Sequence, residues 1–159
     1  MATITLYIPL ENGVSDSTGY SYYNVVSLTN WVCGHWAFTP GQASSAFFSI
    51  RIPDNVAVTP NASLVLDIFC ADNAAHTAQF QTSDALASAN LNVGALSSAS
   101  AQTYTCPGTA YGRTTLTFAV QSTVSANNIL VCKVATSTTG TAPTSNMLVF
   151  PSLKIDTNG

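Results

Sequence analysis

The chain contains two histidines, and neither stands in a sequence pattern that supports nucleophilic or metal-assisted catalysis. His35 lies between Gly34 and Trp36, and His76 lies in segment 74–77. No Gly-x-Ser-x-Gly, His-Glu-x-x-His or His-x-Glu motif includes either of them. We therefore expect each imidazole to be partly buried at a strand edge, outside any catalytic group.

Glycoside hydrolysis would need two carboxyl groups that face each other across a cleft. Asp67 is the only acid inside a strong strand pattern, and alternation places its side chain outward, as a solvated or interface carboxylate. The other acids stand mostly beside turn residues: Glu11, Asp16, Asp54, Asp72, Asp84 and Asp156. The sequence therefore predicts no catalytic residues and no enzyme. The weaker alternative is a hydrolase whose site, with Asp67 or His35, is assembled from distant loops.

The four cysteines do not have the spacing of a metal site, which needs pairs about two to four residues apart. Cys70 and Cys132 share strand faces with apolar residues, so we expect buried, reduced thiols there. The other two are Cys33 and Cys106. The acids are too dispersed for a calcium loop, and no glycine-rich phosphate loop occurs. We expect no metal site and no cofactor.

Charged residues are scarce: four basic and seven acidic residues make up 7% of the 159-residue chain and leave a net charge of −3. A soluble domain usually carries roughly 25% charged residues. Four scattered cations cannot neutralise a run of phosphates or an anionic bilayer surface, so we expect no binding to nucleic acid or membranes. No apolar run reaches the roughly 18 residues of a membrane span, and the start lacks the basic region of a secretory signal.

The elements that must position these side chains are predicted to be β-strands. Val, Ile and Thr contribute 41 residues, whereas Glu and Lys contribute three, and that balance favours strands over helices. Nine apolar or alternating segments recur between turn signals: 3–8, 22–28, 31–38, 46–52, 63–71, 78–82, 114–120, 129–135 and 147–155. The pattern predicts an all-β, antiparallel jelly-roll sandwich of about eight to nine strands, in one domain over residues 1–159. Residues 83–101 are expected to form mainly a long connection.

Alternation also assigns side chains to faces. Four residues of the fifth segment share one parity and should face the core, namely Leu64, Leu66, Ile68 and Cys70. In the eighth segment Leu130, Cys132 and Val134 point inward and Lys133 points outward. We therefore expect each sheet to have one dry face.

Aromatic residues are dense near the start of the chain: Tyr20, Tyr22, Tyr23, Trp31 and Trp36. Sugar-binding modules stack pyranose rings on exposed aromatic side chains, so this group is a candidate platform. Alternation divides the group between two faces, and we therefore expect most of them to be core or interface residues.

Several runs of the sequence resemble small jelly-roll structural proteins of tailed bacteriophages. The resemblance is carried by segment 36–38, the strand-like run 46–54, and the run 62–66 followed by Ala71 and Asp72. It extends in order and spacing over about residues 3 to 155, and the chain has fewer acidic residues in its middle section than that family commonly has. The resemblance implies a capsid decoration, head-fibre or tail-appendage subunit, and it transfers no functional residues.

The expected function is therefore a virion structural protein, a capsid decoration (cement) or head-surface subunit. Its expected partners are its own copies, as a homotrimer, and the major capsid protein or another virion protein. The expected location is the virion, assembled in the bacterial host cytoplasm. Scarce charge fits this role, because the centres of interfaces are depleted in Asp, Glu and Lys. The alternative is a receptor- or carbohydrate-binding domain of a phage tail fibre that uses exposed Tyr or Trp; which surface makes the contacts is left open.

Overall fold

The computed structural model describes residues 2–16, 19, 21–28, 31–56, 61–87, 95–137 and 140–157. At positions 2, 12, 25–28, 31–33 and 157 it describes the main chain alone. The expectations for Tyr20, and for the side chains of Trp31 and Cys33, lie outside the described residues.

The described residues form twelve β-strands and one 3₁₀ turn, Leu10–Asn12. In chain order the strands are β1 Ala2–Tyr7, β2 Val14–Ser15, β3 Ser21–Leu28, β4 Trp31–Phe38, β5 Ser44–Arg51, β6 Ala62–Cys70, β7 Thr77–Ala87, β8 Ser97–Ser98, β9 Gln102–Thr105, β10 Gly112–Ala119, β11 Ile129–Ser137 and β12 Met147–Thr157. They form two antiparallel six-stranded sheets packed as a jelly-roll β-sandwich, which confirms the predicted fold class.

Sheet I contains β1, β3, β4, β6, β10 and β12, in the order β10-β6-β12-β4-β3. Strand β12 is its centre, since β6 pairs with one side of it, and β4 and then β1 pair with the other. The register places Leu66 of β6 between Leu116 of β10 and Pro151 of β12. Sheet I therefore joins the first and last strands of the chain.

Sheet II contains β2, β5, β7, β8, β9 and β11, in the order β2-β5-β11-β7-β8, and β9 also pairs with β7. Strand β11 is central, and its Cys132 lies opposite Phe48 on one side and Asp84 on the other. Two short strands, β2 and β8, end the sheet. Short end strands limit pairing with other chains.

All nine predicted strands are present, and the count of eight to nine is too low. The structure adds β2, β8 and β9, which are two, two and four residues long. The expectation of a long connection over 83–101 is wrong in part, because β7 continues to Ala87 and β8 lies within that range. These three short strands contain too few apolar residues to show an alternating pattern in the sequence. Hydrogen bonds to neighbouring strands hold them extended.

The core lies between the two sheets, and the predicted inward residues belong to it. Leu66, Ile68 and Leu130 have no exposed surface, and Cys70 and Cys132 are buried with them. Aromatic rings interlock across the sheets, with Phe38 and Phe80 centroids 5.9 Å apart in an edge-to-face arrangement. Alternation therefore predicted the dry inner faces correctly.

Trp36, one of the aromatic residues expected in a core or interface, is 2% exposed. Its indole N–H donates to the Leu10 carbonyl oxygen at 2.7 Å, so the buried polar atom is satisfied. The 3₁₀ turn reaches the ring because Gly13 has no side chain there: a Cβ would lie 2.5 Å from Trp36 Cζ2.

No helix among the described residues is long and apolar enough to cross a membrane.

Candidate functional site

The outer face of sheet I brings together side chains from five strands. One row runs straight across it through Arg113 of β10, Phe69 of β6, Leu148 of β12, Ala37 of β4 and Tyr22 of β3. These residues alternate with the core residues of the same strands, so they lie on the side away from sheet II. The face therefore presents an apolar centre between polar margins.

A ridge of aromatic side chains divides this face. The rings of Phe69 and Phe150 lie edge to face with centroids 5.5 Å apart. The centroid of the His35 imidazole lies 6.3 Å from that of the Phe150 ring, and His35 is 1% exposed. The expectation of a partly buried histidine at a strand edge is therefore wrong for His35, because β4 is paired on both sides and its neighbours cover the ring.

On one side of the ridge is a depression of about 450 Å³, here called the Asn146 depression. Its lining residues are Asn24, His35, Ala37, Ala71, Tyr111, Ser145, Asn146 and Leu148. No Asp, Glu, Lys or Arg is among them. The Asn146 amide donates a hydrogen bond of 2.8 Å to the Tyr22 hydroxyl, so β3 and the start of β12 are joined at its margin.

On the other side is a depression of about 370 Å³, here called the Lys154 depression. Its lining residues are Thr5, Tyr7, Val65, Asp67, Arg113, Thr115, Ser152 and Lys154. Val65 is 3% exposed and forms an apolar floor, although alternation places it outward. Hydroxyl and charged groups surround that floor, so the depression suits a polar ligand.

Asp67 points outward, as the sequence predicts, and lines this depression. Its carboxylate accepts a 2.5 Å hydrogen bond from the Thr115 hydroxyl and lies 3.8 Å from Arg113 Nε. Because the Arg113 side chain is 63% exposed, the ion pair contributes little to stability. Asp67 is thus a surface carboxylate with a nearby counter-charge.

Three exposed tyrosines stand at the margins of the two depressions. Tyr7 is 83% exposed, Tyr111 is 42% exposed and Tyr22 is 40% exposed. Tyr111 immediately precedes β10 and has a left-handed backbone conformation, with φ 58°. Its N–H donates a hydrogen bond to the Cys70 carbonyl oxygen. Tyr7 and Tyr111 stand apart from the dense aromatic cluster near the start of the chain, so the density of aromatic residues in the sequence did not point to them.

Tyr23 is exposed to the same degree as Tyr22 but belongs to the opposite side of β3. Its hydroxyl lies where a Cβ on Gly34 would be, and Gly34 has the same parity as the buried Trp36. Adjacent tyrosines of β3 therefore face different surroundings, which makes Tyr23 a control for Tyr22.

Asp72 and His76 support the rim of the Asn146 depression. The Asp72 carboxylate accepts hydrogen bonds from the Thr144 N–H at 2.9 Å and the Ala74 N–H at 3.0 Å. His76 Nδ1 lies 2.6 Å from one of its oxygens. These hydrogen bonds, with that from Thr144 first, hold the pKa of Asp72 well below its ordinary value. Sequence reasoning did not pair these residues, although their spacing of four and the turn residue Asn73 between them were visible.

Three cysteines lie in the interior as free, buried thiols: Cys70, Cys106 and Cys132. Burial raises the pKa of Cys70 to about 11 and that of Cys132 to about 12. Thiols with so little thiolate are poor nucleophiles. Among the residues that the structure describes, no three His, Cys, Asp or Glu side chains group in a way that could hold a metal ion.

No protein-family model matches this chain, and no curated protein matches it. Similar solved structures include the C-terminal family 22 carbohydrate-binding module of Clostridium thermocellum Xyn10B, with a TM-score of 0.52 at 9% identity over 96% of this chain and 93% of that one.

Two further solved structures have a similar fold. The family 11 carbohydrate-binding module of Clostridium thermocellum, in complex with a β-1,3-1,4-mixed-linked tetrasaccharide, has a TM-score of 0.55 at 11% identity over 99% of this chain and 98% of that one. The xylan-binding CBM22-1 domain of Paenibacillus barcinonensis Xyn10C has a TM-score of 0.54 at 8% identity over 98% and 95%. At these identities the likeness establishes the β-sandwich fold alone.

Proposed function

We propose that this chain is a non-catalytic carbohydrate-binding domain, and that the outer face of sheet I holds the sugar. The observation that carries the proposal is the placement of Tyr7, Tyr22 and Tyr111 at the margins of two depressions on one face. The similar folds of carbohydrate-binding modules support it.

The side chains of this face match the chemistry of a sugar. A pyranose ring has an apolar face that packs on an aromatic ring, and hydroxyl groups at its edges that need hydrogen bonds. The tyrosines offer the first kind of contact. Asn24, Ser145 and Asn146 of the Asn146 depression offer the second, as donors and acceptors without charge.

A glycan array followed by calorimetric titration of the glycans that bind tests this proposal. Tyr22→Ala should weaken binding about fivefold or more, since an aromatic contact of this kind is worth ~1 kcal/mol or more. Tyr23→Ala is the matched control, because Tyr23 is equally exposed and lies on the other side of β3. Its affinity should remain at the wild-type value.

An array with no bound glycan, at protein concentrations up to about millimolar, would count against the proposal. So would equal losses for Tyr22→Ala and Tyr23→Ala, because that result would mean that the substitutions act through the stability of β3. Circular dichroism of both variants shows whether the fold is retained.

A second candidate function is a subunit that packs against its own copies and a virion shell. The outer face of sheet II favours it, because Val14 is 64% exposed there and Phe47 lies next to it in register. The nearby charge is Lys133, whose ammonium lies 5.6 Å from the Phe47 ring centroid. A phage tail fibre would combine both roles, with sugar on one sheet and packing on the other. Co-sedimentation with phage heads or tails lacking this subunit tests the virion setting.

A further inference from the structure

The cations of this chain are not spread evenly over its surface. It has four basic residues, namely Arg51, Arg113, Lys133 and Lys154. Two of them, Arg113 and Lys154, line the Lys154 depression. In a chain with a net charge of −3, this depression is therefore a local concentration of positive charge.

The charge of Arg113 has a counter-charge within the depression. Asp67 lies 3.8 Å from its guanidinium, and the same carboxylate oxygen accepts the Thr115 hydroxyl. These two charges offset each other.

Lys154 makes no ion pair with any residue that the structure describes. Asp156 lies two residues further along the same face of β12, but it accepts a hydrogen bond from the Thr3 hydroxyl and does not line the depression. The depression therefore keeps one positive charge without an ion-pair partner.

The groups around Lys154 are spaced for one sugar ring. In the ladder between β1 and β12, Thr5 lies opposite Lys154 and Tyr7 lies opposite Ser152. Tyr7 and Lys154 are thus diagonal neighbours, with Cα atoms about 7–8 Å apart. A ring packed on Tyr7 would have a substituent within reach of the Lys154 ammonium and its hydroxyls near Ser152 and Thr5.

We propose that the Lys154 depression binds a sugar that carries a carboxylate, with Tyr7 against the ring and Lys154 paired with the acid. This proposal rests on the proposed function and specifies its ligand class. The Asn146 depression, which has no charged lining residue, takes a neutral part of the same glycan. The domain therefore distinguishes acidic glycans from neutral ones by its charge at a single lysine.

Calorimetric titration of the intact chain tests the proposal with two sources of carboxylated sugar. One arm uses tetragalacturonate against its methyl ester, and the other uses sialyllactose against lactose. Wild-type protein should bind the acid of at least one pair about tenfold or more tightly than its neutral partner. Raising the NaCl concentration from about 0.05 M to about 0.5 M should reduce that preference, because salt screens exposed charges.

Lys154→Met removes the charge and keeps most of the apolar stem. It should lower affinity for the acidic sugar about tenfold and leave affinity for the neutral partner unchanged. Lys133→Met is the matched control, because it removes the other lysine of the chain from the face of sheet II. Its affinities should equal those of the wild type.

Retained preference for the acid in Lys154→Met overturns the proposal, and so does a wild-type protein that binds the acid no more tightly than its neutral partner in both pairs. Binding of neutral glycans that depends on Tyr22 but not on Lys154 leaves the carbohydrate-binding function standing without its acidic specificity. An absence of binding to every glycan refutes both. Thermal unfolding of each variant verifies that the fold is retained.

Discussion

Asp84 lies opposite Cys132 in the ladder between β7 and β11, on the side of sheet II that faces the core. A carboxylate 4% exposed in this position needs hydrogen bonds, and two main-chain donors supply them. The N–H groups of Gln121 and Ser122 donate to its two oxygens at 2.8 Å each. Asp84 thereby holds the turn after β10 against sheet II, and its charge adds to burial in raising the pKa of Cys132.

Replacement of Asp84 by Ala should reduce the free energy of unfolding by about 2–4 kcal/mol, because two part-buried hydrogen bonds from main-chain N–H groups lose their charged acceptor. Urea unfolding monitored by fluorescence measures this loss. Asp67→Ala is the control, since that carboxylate is partly solvated on the outer face of sheet I, and should cost less than about 1 kcal/mol. Equal losses in the two variants would contradict the structural role of Asp84.

Asp72 should make stability depend on pH in the acid range. Its ordinary pKa of 3.8 is lowered in the folded chain, so its stabilisation is fully present above the pKa of the unfolded state. That stabilisation is lost as the pH falls through the folded value, when the carboxylate takes up a proton. Urea midpoints between about pH 6 and pH 2 should therefore fall more steeply for the wild type than for Asp72→Asn. Asn in place of the exposed Asp54 should leave the slope unchanged.

The core should be sensitive to a cavity at Leu66, which has no exposed surface and lies on β6 between β10 and β12. Leu66→Ala should cost roughly 2–5 kcal/mol in the free energy of unfolding. Thr117→Ala on the exposed side of β10 should change it by less than about 0.5 kcal/mol. A loss below ~1 kcal/mol for Leu66→Ala would show that the sheets close over the missing side chain.

The buried thiols should resist alkylation while the chain is folded. Iodoacetamide at about pH 8 should leave Cys70 and Cys132 unmodified, because burial keeps both sulfurs protonated and covered. After denaturation without reductant, mass spectrometry should show four alkylated cysteines. Recovery of two or fewer would indicate disulfide bonds and an oxidising compartment.

The self-association expected from the sequence stays a prediction, and light scattering tests it. A homotrimer held by uncharged contacts should have the mass of three chains at both about 0.1 M and about 1 M salt, since screening weakens only charged contacts. A monomer at micromolar concentration rules the trimer out. Dissociation at high salt alone would instead assign the contacts to the few charged residues.

The local part of this fold was predictable because strand alternation is a property of neighbouring residues. The parity of Leu64, Leu66 and Ile68 is set by the two-residue repeat of an extended chain, whatever the partner strand is. The same rule placed Asp67 and Lys133 on outer faces. Abundant Val, Ile and Thr, with few Glu and Lys, likewise indicated strands.

Only the tertiary structure decided which strands became neighbours, and with that the candidate site. Tyr7, Asp67, Arg113 and Lys154 come from strands β1, β6, β10 and β12, and they meet in one depression. Hydrogen-bond ladders between distant strands set this arrangement. Main-chain donors and acceptors are the same at nearly every residue, so the local pattern of the sequence does not reveal the strand order. The burial of His35 and Asp84 has the same origin, because the neighbours that cover them come from other parts of the chain.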